Sequence, residues 1–259
     1  MLTFLINLDH RTDRMAFMQA QLGPMGLGFQ RISAVNGLGE ADIGYPPDHP
    51  RLTKGEFACY LSHIKCMRAF LATNAERCLI LEDDVAFGPD FMACIEHSGF
   101  FNHDGCVTRL ECRSYPTVLR KRSQHMFNGT RLRQQMAYDD GAAAYVITRD
   151  YAAYLLKHYS TPKIPLDDQI LNPDEVGLRP HKIYQLDPAP ATQRFFLDKA
   201  SPVFNAESDL EAGRKYPAKN TRPRGVVSLI TSFFSTRAKN ARRNLFYVRK
   251  VVPFSGENH

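Results

Sequence analysis

The chain contains no tryptophan, no Cys-x-x-Cys pair and no apolar run long enough to span a bilayer. Each absence excludes something. Without paired cysteines, the six present, Cys59, Cys66, Cys78, Cys94, Cys106 and Cys112, do not spell a zinc finger or ribbon. Several fall on apolar positions, where a thiol packs as a small hydrophobe. The opening run Met1 to Ile6 lacks both the basic leader and the length of a signal peptide, so a cytosolic protein is expected. Acidic residues are missing from one long stretch: Arg214 to Lys250 holds eleven Lys or Arg and no Asp or Glu, with only Glu257 beyond it.

That stretch divides the charge. Residues 214–259 carry eleven basic residues against one acidic, a net +10; residues 1–213 carry twenty-two against twenty-six, a net −4. A mildly acidic body with a basic tail points to an anionic surface met by the tail alone, not to a chain that binds polyanions throughout. At 259 residues there is enough chain for one large domain, or one domain with an appendage.

The patterning alternates strands and helices. Thr3 to Leu8 reads as a buried strand and the segment through Leu22 as a helix; Phe29 to Ala34 reads as a second strand and Asn36 to Pro50, rich in Gly and Pro, as a loop. Thr53 with Glu56 is a capping-box pattern opening a helix whose inner face carries Phe57, Leu61, Ile64 and Met67. Arg77 to Leu81, Cys106 to Leu110 and Gly141 to Thr148 read as strands, Phe91 to Ile95 as a short helix, and Asp150 as the cap of a helix Tyr151 to His158. Asn128 to Met136 is expected as a mobile loop or hairpin over the site, within a polar segment 113–138 suited to acceptor choice. From Pro188 the pattern loosens, and Ala200 to Arg224 resembles a linker. This alternation predicts an α/β sheet with ligands at its carboxyl edge.

Leu79-Ile80-Leu81-Glu82-Asp83-Asp84-Val85 sets three carboxylates directly behind an apolar strand. Three adjacent anions repel one another unless a cation sits among them, and all-oxygen ligands with open positions favour Mg²⁺ or Mn²⁺ shared with phosphates. A solvated acidic turn is the alternative. On a strand, Asp83 should point away from its neighbours, leaving Asp84 and Glu82 as the metal ligands.

Four ordered motifs carry a resemblance: Ile6-Asn7-Leu8-Asp9 with Arg11, Asp13 and Arg14; Gly55-Glu56-Phe57-Ala58-Cys59-Tyr60-Leu61-Ser62-His63; Leu81-Glu82-Asp83-Asp84; and Gly141-Ala142-Ala143-Ala144-Tyr145-Val146-Ile147. Together, over about residues 3–193, they resemble glycosyltransferase family 25, which includes bacterial lipooligosaccharide galactosyltransferases and collagen galactosyltransferase domains. Ala58 stands where the family usually has Gly. The resemblance implies a GT-A fold over residues 1–199, a nucleotide-sugar donor, a divalent metal and inversion at the anomeric carbon.

It also implies roles. Asn7, Leu8 and Asp9 would meet uracil and ribose, Arg11 or Arg14 phosphate, and His63 the donor site, with Asp83 and Gly141 also against the donor. Pro165-Leu166-Asp167-Asp168-Gln169 matches the family's later acidic motif. An inverting transfer needs one carboxylate to deprotonate the acceptor hydroxyl; that base is assigned to Asp168, with Asp167 as alternate. Asp167 could equally cap the following helix. Asp139 and Asp140 could hold sugar hydroxyls or form a polar turn. Arg109 and Glu111 could face the cleft or pair, and His181 and Gln193 could reach the diphosphate or metal.

In the tail, Val226, Ile230, Phe234, Ala238, Ala241, Leu245, Val248 and Val252 recur at three- and four-residue steps, with Lys239, Arg242, Arg243, Arg249 and Lys250 largely on another face and Arg237 bordering the stripe. A basic amphipathic helix of this kind suits an anionic membrane surface met through residues 214–252, and equally a helix packed on the body. The whole reading is an enzyme moving a hexose, galactose from UDP-galactose, to a lipid-linked oligosaccharide acceptor, peripheral on the cytoplasmic face of the inner membrane. A metal-dependent nucleotidyltransferase or phosphohydrolase uses similar carboxylates, and a polyanion-binding protein could act through its tail. Nucleic acid is not expected as a partner, because the body has no basic stripe.

Overall fold

The computed structural model describes residues 1–39, 42–97, 100, 102–113, 115–137, 139–171, 181–197 and 246–256. Three parallel strands form one end of the main sheet: β1 (Leu2–Asn7) lies between β2 (Gln30–Ser33) and β3 (Arg77–Glu82). The crossover from β1 to β2 is α1 (Thr12–Leu22); that from β2 to β3 includes α2 (Lys54–Leu71). The capping box is formed: Thr53 Oγ1 accepts the Glu56 N–H at 3.1 Å, and Glu56 Oε2 accepts the Thr53 N–H at 2.9 Å. Of the expected inner face of α2, Phe57, Ile64 and Met67 are buried and Leu61 is half-buried.

Beyond β3 come β4 (Val85–Phe87), α3 (Phe91–Glu96), β5 (Gly105–Arg109), β6 (Glu111–Cys112), β7 (Pro116–His125), β8 (Arg131–Gln135), β9 (Ala144–Thr148) and α4 (Arg149–His158). They are followed by α5 (Leu166–Leu171), β10 (Lys182–Asp187), β11 (Ala191–Gln193), α6 (Arg194–Leu197) and β12 (Tyr247–Val251). The nine-stranded sheet runs β12-β7-β8-β10-β5-β9-β3-β1-β2, and β4-β11-β6 make a small second sheet. The α/β class, a large central sheet flanked by helices, is as expected.

Strand alternation sorts the core into two layers. Phe4, Ile6, Ile80, Tyr145 and Ile147 face one side, with Tyr60, Ile64 and Met67 of α2 and Tyr151 and Leu155 of α4. Leu5, Leu79, Leu81, Ala144 and Val146 face the other, with Met18 and Leu22 of α1 and Phe91 and Ile95 of α3. The same parity carries past the strand end and decides where each carboxylate of the acidic run goes.

Several expectations are corrected. The helix α4 begins at Arg149, with Thr148 at its N-cap, so Asp150 sits inside the first turn instead of capping it. The strand expected from Gly141 begins at Ala144; Gly141 has φ 93°, outside strand geometry. Asn128 to Met136 does form a hairpin, but β8 is built into the sheet between β7 and β10, and none of its residues borders the cavity described below. After Pro188 the chain is ordered through β11 and α6. The end of the anticipated tail helix is a strand instead: Tyr247–Val251 pairs antiparallel with β7, Val248 opposite Leu119 and Arg249 opposite Val118. Five consecutive ladder partners satisfy its backbone where a lone helical end would need caps. The rest of that helix, with the linker and most of 200–259, lies outside the described residues.

Candidate active site at the carboxyl edge of the sheet

The ends of β1 and β3 open onto a cavity of ≈ 310 Å³, within the range of small-ligand sites. Ile6, Asn7 and Leu8 form its floor beside Glu82, Asp83 and Asp84. Gly55, Ala58, Cys59, Ser62 and His63 of α2 form one wall, and residues 34–38 another. Arg14 of α1, His10 and Gln193 of β11 complete it.

Parity gives the three carboxylates different partners. Glu82, on the side of Ile80, turns toward α2, its Oε1 3.2 Å from His63 Nε2 and 3.8 Å from Cys59 Sγ. Asp83, on the side of Leu81, turns toward α1: it accepts from Asn7 Nδ2 at 2.7 Å and from Arg14 Nη1 at 2.9 Å. Asp84 lies 3.4 Å from Gln193 Nε2 through both oxygens, with Arg14 at 3.9 Å. Burial, then the charge of Asp83, pushes the Glu82 carboxyl up to about 7. Burial, then Glu82, does the same to Asp84, also to about 7. Each lacks a full countercharge and has a raised affinity for protons or cations.

His63 is wholly buried, and burial pushes it down to about 3, so the ring is neutral. Its Nδ1 meets the Tyr145 hydroxyl at 2.9 Å. With Glu82 ionised, the ring donates from Nε2 and accepts at Nδ1. Burial likewise raises the Cys59 thiol well above its usual range.

The expected site residues therefore divide. Asn7, Leu8, Arg14, His63, Glu82, Asp83, Asp84 and Gln193 all border the cavity. Asp9 does not: it is exposed and bound to Arg31 and to Ser33 Oγ. Nor does Arg11, which forks onto Asp13 at 3.0 Å. Gly141, Asp167 and Asp168 also lie off the cavity wall. Asp167 accepts the Gly141 N–H at 3.0 Å and the Asp168 N–H at 3.1 Å, and its charge reaches Glu82, His63 and Cys59. It falls within the first turn of α5, one residue past the start, so it is not the N-cap. Arg109 pairs with Asp139 at 2.6 Å and Arg113 with Asp140 at 2.7 Å. Glu111 is fully buried against the Ala143 N–H at 2.7 Å. His181 packs on Tyr151 and Tyr154, away from the cavity.

Sequence reasoning missed the wall 34–38. Ser62 Oγ accepts the Val35 N–H and donates to the Ala58 carbonyl, both at 2.8 Å, tying that loop to α2. Gly37 lies so close to α2 that a Cβ there would meet the Lys54 carbonyl oxygen at 2.9 Å and Ala58 Cβ at 3.0 Å. The available signal was a glycine in a loop before a capped helix, which marks close backbone approach.

Residues 1–170 match the family model described as glycosyltransferase family 25 (LPS biosynthesis protein). A putative glycosyltransferase of Haemophilus influenzae is 28% identical over 207 residues, covering 79% of this chain and 68% of that protein. Lipooligosaccharide biosynthesis protein lic2B of the same species is 23% identical across 98% of this chain and 99% of its own length. The chain spans far less of the animal relatives, such as 16% of procollagen galactosyltransferase 1-B of Xenopus laevis, at 37% identity over 97 residues and 32% of this chain. Among solved structures, a glycosyltransferase involved in glycosylation of the major capsid of PBCV-1 superposes with TM-score 0.39 at 11% identity, covering 74% of this chain and 93% of that one, too loosely to bear on chemistry. The family-model match over 170 residues carries the assignment: the chain belongs to glycosyltransferase family 25.

Proposed function

We propose that the chain is an inverting, metal-dependent hexosyltransferase that moves galactose from UDP-galactose to a sugar hydroxyl of a lipooligosaccharide core. The observation that carries this reading is the contrast within one run of carboxylates. Asp83 is neutralised by Arg14 and accepts a hydrogen bond from Asn7, whereas Glu82 and Asp84, which border the same cavity, have raised proton affinity. Membership of the family alone does not decide activity, since a human relative, 35% identical over 106 residues, 36% of this chain and 18% of its own length, is named inactive glycosyltransferase 25 family member 3.

Asp84 and Glu82 suit a hard divalent ion, Mn²⁺ or Mg²⁺, because both offer carboxylate oxygens at an open cavity that leaves room for phosphate oxygens. When bound, such an ion supplies charge neutralisation to the diphosphate as the glycosidic bond breaks. Arg14, fixed in place by Asp83, adds positive charge on the same side. Asn7 has both side-chain ends occupied, by Asp83 and by Arg31 Nε at 3.0 Å. Its part is to hold the floor on which the nucleotide lies, with Leu8 and the 34–38 wall against the base.

The acceptor hydroxyl gives its proton to Asp168 as its oxygen attacks the anomeric carbon opposite departing UDP, which inverts the configuration. Asp167, both of whose oxygens accept backbone N–H groups, braces the Gly141 turn and is the alternate base. Galactose is supported by the relative named procollagen galactosyltransferase, and the acceptor by relatives named for lipooligosaccharide biosynthesis. Among the described residues no helix is long and apolar enough to cross a membrane. Of the basic segment 214–252, the part before β12 is proposed to hold the enzyme peripherally on the cytoplasmic face of the inner membrane, near its lipid-linked acceptor.

The test is calorimetric titration with UDP-galactose, UDP-glucose and UDP-N-acetylglucosamine, with Mn²⁺ and with chelator, on the native chain and Asp84→Ala. Metal-dependent binding, strongest for UDP-galactose and lost in the variant, supports the reading. No binding of any of the three to folded protein overturns it, and nucleotide binding without sugar transfer favours phosphohydrolase or nucleotidyl chemistry.

A further inference from the structure

Where α2 packs on the end of β3, a sulfur and a nitrogen donor of the helix meet an oxygen donor of the strand. Cys59 and His63 are four residues apart, so they project from the same side of the helix, and Glu82 reaches them by strand parity. Their ligand atoms all lie within 4.8 Å of one another. The distances are 3.2 Å from His63 Nε2 to Glu82 Oε1 and 3.8 Å from Cys59 Sγ to the same oxygen. In a tetrahedral zinc site with bonds of ~2.0 Å to nitrogen and oxygen and ~2.3 Å to sulfur, neighbouring donors stand roughly 3.3–3.6 Å apart. Side-chain adjustments of a few tenths of an ångström to about 1 Å bring this trio to that geometry.

We infer that Cys59, His63 and Glu82 form a site for a thiophilic divalent ion of the zinc class, separate in ligand chemistry from the hard-ion position at Asp84. Three features support it. The donor set is sulfur, nitrogen and one carboxylate oxygen, which Mg²⁺ and Ca²⁺ do not select but zinc does. His63 is oriented from behind, since its Nδ1 is held by the Tyr145 hydroxyl at 2.9 Å with the two rings stacked at 5.8 Å, which aims Nε2 at the other donors. All three residues border the cavity, so the fourth position opens to water or to a bound ligand, as in zinc sites that do more than hold a fold.

Binding breaks the Cys59 S–H bond, forms a metal–sulfur bond and releases the proton to solvent. Glu82 cannot serve this ion and a hard ion at Asp84 at the same time. Zinc-class ions therefore compete with Mn²⁺-supported donor binding. The site itself does not depend on the transferase reading, because it can be measured with no nucleotide present.

The experiment titrates the full chain, without nucleotide, with Cd²⁺ as a spectroscopic stand-in for zinc and follows the ultraviolet thiolate-to-cadmium charge-transfer absorption. Expected is a band saturating at one equivalent, displaced by Zn²⁺ but not by Mg²⁺, absent in Cys59→Ser, and requiring ~10–100-fold more cadmium in Tyr145→Phe, which removes only the support behind His63. The other five cysteines are buried, and the serine variant subtracts any signal they give. No band in the native chain, or the same band in a folded Cys59→Ser variant, overturns the inference. Loss of donor binding with the cadmium band intact would instead count against the transferase reading alone.

Discussion

Arg14 Nη1 lies 2.9 Å from Asp83 Oδ1 but 3.9 Å from Asp84 Oδ2, so one guanidinium neutralises the first of two adjacent aspartates and leaves the second for the cavity. Neighbours in sequence thus have opposite duties, one structural and one available for ligand.

Substitutions at the two positions should separate those duties. Asp83→Asn leaves Arg14 without its buried countercharge and should lower stability by about 3 kcal/mol, read as a lower urea midpoint. Asp84→Asn removes a carboxylate that burial already disfavours as an anion, and should leave the midpoint unchanged or higher while abolishing metal-dependent donor binding. Equal destabilisation by both would show that Asp84 is also a structural ion-pair partner.

Stability should fall as pH rises from about 6.5 to about 8. Burial holds the folded carboxyls of Glu82 and Asp84 at about 7 and of Glu111 at about 8, above the 4.5 and 3.8 of exposed Glu and Asp. Below about pH 6.5 the histidines His63 and His103, pushed down by burial to about 3 and about 4, offset this by binding fewer protons folded than unfolded. Above it the folded state binds more protons through these carboxyls, so unfolding free energy decreases with pH. The contribution is complete below about pH 4 and lost by pH 8. Among the described residues Glu111 Oε2 is buried without a hydrogen-bond partner, so Glu111→Gln should flatten the slope at its alkaline end. Asp13, held near 2 by its hydrogen bond to Arg11, acts oppositely and only below about pH 4. Denaturation midpoints at half-unit pH steps check the sign; a flat or rising profile between pH 6.5 and 8 contradicts it.

Two glycines should respond differently to a single methyl. Gly141→Ala forces a side chain into φ 93° with its Cβ 2.9 Å from Arg113 Cδ, and should cost about 1–3 kcal/mol of global stability, visible in thermal unfolding. Gly37→Ala pushes against the Lys54 carbonyl and should displace the loop wall, weakening UDP binding by calorimetry with a smaller change in melting temperature. The reverse ranking would mean that the 34–38 wall is not part of the nucleotide site.

If the tail holds the enzyme to the membrane, the full chain should sediment with vesicles containing anionic phospholipid and be released by salt, since each cation near such a surface contributes about 1 kcal/mol and is screened beyond a Debye length. Arg242→Glu combined with Arg243→Glu should shift binding to higher lipid concentration. Sedimentation with neutral vesicles to the same extent would refute the electrostatic account.

What the sequence determined by itself was local. The capping box at Thr53 and Glu56, the strand-loop-helix opening through β1 and α1, and the placement of Glu82 to Asp84 at a strand end all rest on spacing within a few residues. The outward turn of Asp83 from its two neighbours followed from strand parity alone. Asp9 and Arg11 lie off the cavity wall because polar partners hold their side chains, Arg31 and Ser33 of the neighbouring strand for one and Asp13 for the other.

Only the tertiary structure decided the rest. Whether Tyr247–Val251 would be helix or strand depended on the free edge of β7, more than a hundred residues away in sequence, because basic and apolar residues in that order satisfy either period. Which carboxylate keeps its charge for a ligand depended on Arg14 of α1 reaching Asp83. The meeting of Cys59, His63 and Glu82 required α2 to pack across the end of β3. Patterns of spacing fix which way a side chain leaves its own helix or strand; what it meets there is fixed by the packing of elements distant in sequence.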